Sequence, residues 1–215
     1  MTKSVSVTAW HFLRNDYRLS HDGRLVGAGD TVRVKGPPCL CVHGLHGSRR
    51  IIDAIRYAPG PILCRVTISG EIETSKDKLC GTCRSIQWTL DATDVLHRFA
   101  CWCAEGALTA AEVLDQRCWD AIREKIRWLD GESTAQELAA AKTRAAAAAS
   151  AATWAAAAAA TWAAASAAAS AADADAVAAA RFVAARAAAA DLVWAAATAA
   201  QNKKITAMVR AIEYE

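Results

Sequence analysis

The chain reads as α+β: a small mixed β-sheet N-terminal domain with short helices, followed by an alanine-rich α-helical hairpin or bundle. Two observations lead there. Short runs of strand-forming residues, separated by Gly, Pro, Asn and Asp turn signals, fill roughly the first 100 residues. From about Ala139 to Ala200 the sequence is mostly alanine and contains neither proline nor glycine. Alanine is the strongest helix former because it loses no side-chain entropy. Composition changes at Asp130-Gly131-Glu132-Ser133, dividing the 215 residues into a mixed domain, 1–130, and a helical domain, 131–215.

The elements follow in order. Val5 to Leu13 has strand composition and Asn15-Asp16 closes it. Asp22-Gly23 and Gly27-Ala28-Gly29-Asp30 are turns, so Arg24-Leu25-Val26 and Thr31-Val32-Arg33-Val34 form either a hairpin or two edges of one sheet. Leu40 to His46 is a short apolar strand, after which Ser48 caps a helix over Ile51 to Tyr57. Ala58-Pro59-Gly60-Pro61 stops that helix, and Ile62 to Ile68 is a β-branched strand. Strand, helix and strand in this order suggest a crossover onto a mixed sheet. Arg84 to Leu90 is the last strand. Asp91 or Thr93 then caps a helix over Val95 to Ala104, and Thr109 begins another whose Val113, Leu114, Trp119, Ile122, Ile126 and Leu129 form a buried stripe.

Ser133 caps the long helix, with Gln136 at the capping-box position. A single rod would be on the order of 100 Å long, so a fold-back at Ala172-Asp173-Ala174-Asp175 is expected. Trp154, Trp162, Phe182 and Trp194 then fill gaps between alanine faces or serve as partner-binding positions.

A net charge of +3 is too small to imply a nucleic-acid partner by itself. Nucleic acid would bind through Arg49, Arg50, Arg56 and Arg65, or through Arg117, Arg123, Lys125 and Arg127 on one helix, although solvated surface is the plainer reading of both patches. Eight cysteines behind no secretory signal suggest free thiols in a reducing compartment, the cytoplasm of a host cell. Lys142, Arg144, Asp173, Asp175, Arg181, Arg186 and Asp191 thread the alanine tract, so no membrane span is expected.

No Ser, His and Asp arrangement, nucleophile elbow or phosphate-binding glycine fingerprint is present, which leaves hydrolase and nucleotide-fold readings little support. Cys39, Cys41 and His43, with Cys80 and Cys83 in a Cys-x-x-Cys, offer zinc-ligand types. Alternate strand residues stand roughly 7 Å apart along one face, however, so Cys39, Cys41 and His43 do not converge on one ion without a bend. Core thiols are preferred over zinc. His43 and His46 flank Gly44 at a strand end, where a ligand has access.

Cys41-Val42-His43-Gly44-Leu45-His46, Ala54-Ile55-Arg56-Tyr57-Ala58 and Leu63-Cys64-Arg65-Val66-Thr67-Ile68-Ser69-Gly70 together resemble an uncharacterised domain family of phage and prophage proteins. Members often continue, as here at Phe99-Ala100-Cys101-Trp102-Cys103-Ala104, into alanine-rich tails with recurring tryptophan. The same stretch is distantly similar to the second half of ADP-ribosyltransferases of the poly(ADP-ribose) polymerase type. In those enzymes a Gly-Ile-Tyr-Phe strand, a helix ending in tyrosine and a strand closed by glycine build part of the NAD site. Gly44-Leu45-His46, Tyr57 and Gly70 match these in turn, and His11 stands for an upstream histidine. The resemblance thus implies an NAD site at His11, Gly44, His46 and Tyr57. His46 replaces the nicotinamide-stacking tyrosine, the helix lacks the family's serine pair, and Glu71 and Glu73 match the catalytic glutamate by position only.

The expectation is a phage-type macromolecule-binding protein rather than an enzyme, in its most specific form an inhibitor of a bacterial defence system. Its helical tail would dock on a host or phage protein or drive homo-oligomerisation. The alternative is an ADP-ribosyltransferase-like NAD-binding enzyme or a degenerate relative.

Overall fold

The computed structural model describes residues 6–152, 175–181 and 194–213. Trp154, Trp162, Phe182 and the Asp173-Ala174 part of the expected corner lie outside them, as does the side chain of Trp194. The fold is α+β, with an antiparallel sheet in the first of two compact units, Met1–Ala92 and Thr93–Glu215. The first unit ends at Ala92, ahead of the composition change at Asp130-Gly131-Glu132-Ser133. Two helices of mixed composition precede the alanine tract and already belong to the second unit.

The first unit contains β1 (Ser6–Leu13), β2 (Thr31–Arg33), β3 (Leu45–Gly47), α1 (Ile51–Ile55), β4 (Ile62–Thr74) and β5 (Leu79–Asp91). Its sheet runs β1-β4-β5-β2, and β3 also pairs with β5. Every pairing among the described residues is antiparallel. The strand–helix–strand passage β3-α1-β4 does cross over, but β5 lies between the two strands, so no parallel ladder forms. Thr31–Arg33 pairs with β5 rather than with Arg24-Leu25-Val26, where Leu25 bridges to Arg18.

The long β4–β5 hairpin is bent. Register shifts occur between Arg65 and Val66 and between Ser69 and Ile72, the second containing Gly70 at φ +82°. The bend lets the segment Leu45–Ser48 reach two strands. β3 pairs with β5, while Ser48 and Trp10 exchange both backbone hydrogen bonds at 2.8 Å on the free edge of β1. The sheet therefore curls back on itself around Ala9, Leu13, Leu45, Cys64, Val66, Ile68, Leu79 and Ile86. Ser48 is consequently a closing residue and not a helix cap. Arg50 occupies the N-cap of α1 without a side-chain cap bond, and instead grips buried Asp53 through Nε and Nη2 at 2.6 and 2.8 Å.

The second unit contains α2 (Thr93–Ala110), α3 (Gln116–Leu129), α4 (Ala135–Ala152) and α5 (Trp194–Glu213), with a further helical run at 176–181. Thr109 ends α2 rather than opening the next helix, its hydroxyl bonding the Glu105 carbonyl at 2.9 Å. Asp115 caps α3. Leu114, expected in a buried stripe, lies in the link between these helices and is 93% exposed. Thr134 and Glu137, not Ser133 and Gln136, form the capping box of α4. Leu138, Ala141, Ala145 and Ala148 make one buried stripe at helical spacing, the first three clustering with Ala121 of α3. Asp175 accepts from the Ala178 amide at 2.8 Å and so caps the run at 176–181.

Two glycines test this packing from opposite sides. A Cβ on Gly81 would fall against Ile68 Cγ2 and the Ser69 and Glu71 carbonyls, whereas one on Gly106, inside α2, would meet open space. Gly81→Ala is expected to cost about 1–3 kcal/mol by overpacking. Gly106→Ala is expected to add about 0.5–1 kcal/mol by relieving the helix of glycine's entropy. Urea denaturation followed by circular dichroism checks both.

Candidate functional site

The curl of the first unit creates a cleft of about 320 Å³. Five parts of the chain reach it. β1 contributes Trp10, His11 and Phe12, and β3 with the closing residue contributes His46, Gly47 and Ser48. Ala54 of α1 and Tyr57 just beyond it form another side, Cys41 comes from the loop before β3, and Lys78 from the β4–β5 turn. His11, His46 and Tyr57, distant in sequence, thus meet at one place.

The loop that carries Cys41 is a tight hairpin and not a continuation of β3. Cys39 and His43 exchange backbone hydrogen bonds at 2.7 and 2.8 Å, leaving Leu40-Cys41-Val42 as the tip. Cys41 sits in the left-handed region at φ 66°, uncommon for a residue with a Cβ. Its amide donates to His46 Nε2 at 3.1 Å, and the other side of the His46 ring bonds the Gly44 backbone. Both ring nitrogens therefore serve the turn, Nδ1 bears the proton, and His46 presents its ring to the cleft. Gly44 holds φ +119° with little room for a Cβ against Pro38 and Cys80. It shapes the turn without lining the cleft.

The opposite wall is a polar relay. Tyr57 donates its hydroxyl proton to Asp77 Oδ2 at 2.6 Å, which pushes the phenol above its usual range and holds the carboxyl below its own. Lys78 Nζ lies 4.6 Å from the centre of the Tyr57 ring and donates to Cys41 Sγ at 2.7 Å. The contact with sulfur is the main reason that Lys78 stays protonated above its ordinary range. Trp10 is fixed edge-to-face on Trp88 at 5.7 Å and under Arg65 at 4.3 Å.

Behind His46 lies Arg84, 2% exposed, whose Nη1 donates to the His46 carbonyl at 3.0 Å. Burial pulls its guanidinium down to about 10. Alternation along β1 turns His11 to the side of the core residues Ala9 and Leu13. Burial, followed by the charge of Arg84, holds His11 well below the ordinary imidazole value. His46 is lowered by burial first, and the charges of Lys78 and Arg84 act in the same direction.

Other sequence candidates fall elsewhere. Among the described residues no cluster of His, Cys, Asp and Glu could hold a metal ion. Cys80 and Cys83 stand three apart on an extended strand and so face opposite sides, while Cys39 and Cys41 occupy the base and tip of the hairpin. Glu73 accepts from the Leu40 amide at 2.8 Å and Glu71 is exposed on the hairpin, so neither lines the cleft.

The second basic patch is neutralised where it stands. Arg117, Arg123 and Arg127 pair with Asp115, Asp120 and Glu124, and Lys125 is 0% exposed with its Nζ 4.0 Å from the Trp128 ring centre. In the first patch Arg50 is committed to Asp53 and Arg65 to Trp10. Among the described residues no helix is long and apolar enough to cross a membrane.

Sequence reading did not single out Lys78 for the cleft. Its signal was the turn Ser75-Lys76-Asp77-Lys78, whose destination depends on the long hairpin that carries it. No family model, curated protein or solved structure matches the chain.

The two depressed histidines set a pH dependence. Below the ordinary value of 6.5 the unfolded chain takes up protons that folded His11 and His46 refuse, so stability falls as pH falls. A loss of up to about 1 kcal/mol is expected from His11 between pH 7.5 and 5.5, with a smaller loss from half-exposed His46, where solvent screens the charge. Urea denaturation at the two pH values measures it, and His11→Gln is expected to flatten the dependence.

Proposed function

We propose that the first unit is a ligand-binding domain whose cleft takes the planar ring of a nucleotide-type ligand, with NAD as the first candidate. The observation that carries this reading is the convergence of His11, His46 and Tyr57 on one cleft. The rings of His46 and Tyr57 offer flat contact surface, and Lys78 with buried Arg84 gives a positive potential suited to an anionic tether. A volume of about 320 Å³ suits the ring-bearing end of a dinucleotide rather than the whole molecule.

Bound NAD would supply an electrophilic glycosidic carbon, and the cleft residues would hold the ring and exclude water. Among the described residues no carboxylate lines the cleft, so the reading is of binding and not of ADP-ribosyl transfer. Calorimetric titration of the full chain with NAD tests it. Binding is expected for the unmodified protein, weakened about tenfold or more, or about 1.4 kcal/mol, in His46→Ala and Tyr57→Ala. No heat of binding in the unmodified protein removes NAD from the reading.

A second reading has the helical unit dock on a host or phage protein inside the host cell, such as a component of a bacterial defence system. It is favoured by Leu114, a large apolar side chain left 93% exposed between α2 and α3. The phage resemblance supports the choice of partner. Pull-down from bacterial lysate with the full chain, with Leu114→Glu and with residues 133–215 removed tests it; an unchanged set of partners in both variants sinks the docking role.

A further inference from the structure

Cys41 differs from the other cysteines in position and in company. Cys64, Cys80, Cys101, Cys103 and Cys118 are buried, and burial pushes the thiols of Cys64 and Cys101 up to about 12, which leaves such groups inert at neutral pH. Cys39 and Cys41 are the two exposed cysteines. Cys39 stands at the base of the hairpin, paired through its backbone with His43. Cys41 stands at the tip, lines the cleft, and has an ammonium group on its sulfur at 2.7 Å.

The backbone reinforces this placement. A non-glycine residue at φ 66° costs conformational energy, and the turn holds it there through the Cys41 amide bond to His46 Nε2 and the Cys39–His43 pair. The sulfur faces Lys78, whose Nζ donates to it. An exposed thiol beside a fixed cation, in a cleft, is the environment in which cysteine acts as a nucleophile.

We propose that Cys41 is a nucleophilic thiol that captures planar conjugated carbonyl compounds in the cleft. The ligand class follows from the surroundings: a soft sulfur favours a polarisable carbon, Tyr57 and His46 present flat rings, and the Lys78 ammonium stands where negative charge would develop on oxygen. The thiol proton leaves to solvent, and Sγ forms a bond to the carbon β to the carbonyl while the alkene π pair moves onto the carbonyl oxygen. Lys78 passes a proton to the α carbon of the enolate, and solvent returns one to Lys78. Thiol and alkene become a thioether, with no oxidant or reductant consumed. This inference rests on the cleft being a ligand site and adds a covalent step to it.

N-ethylmaleimide, a small planar probe of this class, tests the thiol on the full chain, with peptide mass spectrometry following each cysteine at neutral pH. Cys41 is expected to react at least about tenfold faster than Cys39, its exposed neighbour two residues away. Lys78→Met is expected to bring Cys41 to within about twofold of Cys39, and Lys78→Arg to keep it fast. Equal rates at Cys41 and Cys39 in the unmodified protein, or an unchanged rate in Lys78→Met, overturn the nucleophile. Benzalacetone, a larger aromatic enone, tests the cleft separately: a modification rate at Cys41 that saturates with concentration supports capture from a bound state. A fast rate that stays linear overturns the cleft as the seat of capture, while leaving the thiol's reactivity and the NAD reading, which calorimetry tests, intact.

Discussion

The exchange of two backbone hydrogen bonds between Trp10 and Ser48 carries the segment Leu45–Ser48 from β5 across to β1, and the rest of the first unit depends on that closure. An antiparallel sheet with a free β1 edge would leave unpaired amides exposed and would hold His11 and His46 far apart. With the edge bridged at Trp10 by Ser48, the residue after β3, the two histidines line one cleft. The closure demands close approach: a Cβ on Gly47 would press on Ala9, the Trp10 carbonyl and Ile68. Glycine at this position is a packing requirement, as it is at Gly81.

The chemistry-bearing side chains around the cleft are engaged in structural work. His46 uses both ring nitrogens to hold the turn of Cys41 and Gly44, and its carbonyl receives Arg84. Tyr57 is committed to Asp77. What the cleft offers is thus ring surface, one ammonium and one sulfur, rather than an assembled acid–base pair. Of the described residues, none with a carboxylate lines the cleft, whereas Cys41 and Lys78 do.

In the second unit small side chains set the terms. Ala121, Ala141 and Ala145 let α3 and α4 approach with little side-chain volume between them, and Leu138 and Trp128 fill what space is left. The three arginines of α3 are paired within the helix, at a spacing of three, or with its own cap. Pairs of this kind at the surface contribute little stability individually. Their effect is to cancel a patch that a residue count suggests.

Strand composition, turn residues and the alanine tract were enough to determine the α+β class and the position of most elements, because hydrophobic period and helix propensity act over a few neighbouring residues. His11 and Tyr57 became candidates only through the resemblance to ADP-ribosyltransferases, and His46 through that resemblance and its place beside Gly44 at a strand end. Caps were misread by a residue or more at Ser48 and at Ser133, since several adjacent polar residues can fill the role and only the angle of chain entry selects one. The division at Ala92, the exposure of Leu114, the neutral face of α3, and the meeting of Cys41 with Lys78 were decided by tertiary structure alone. Each depends on contacts between segments far apart in the chain, and no local propensity carries that information.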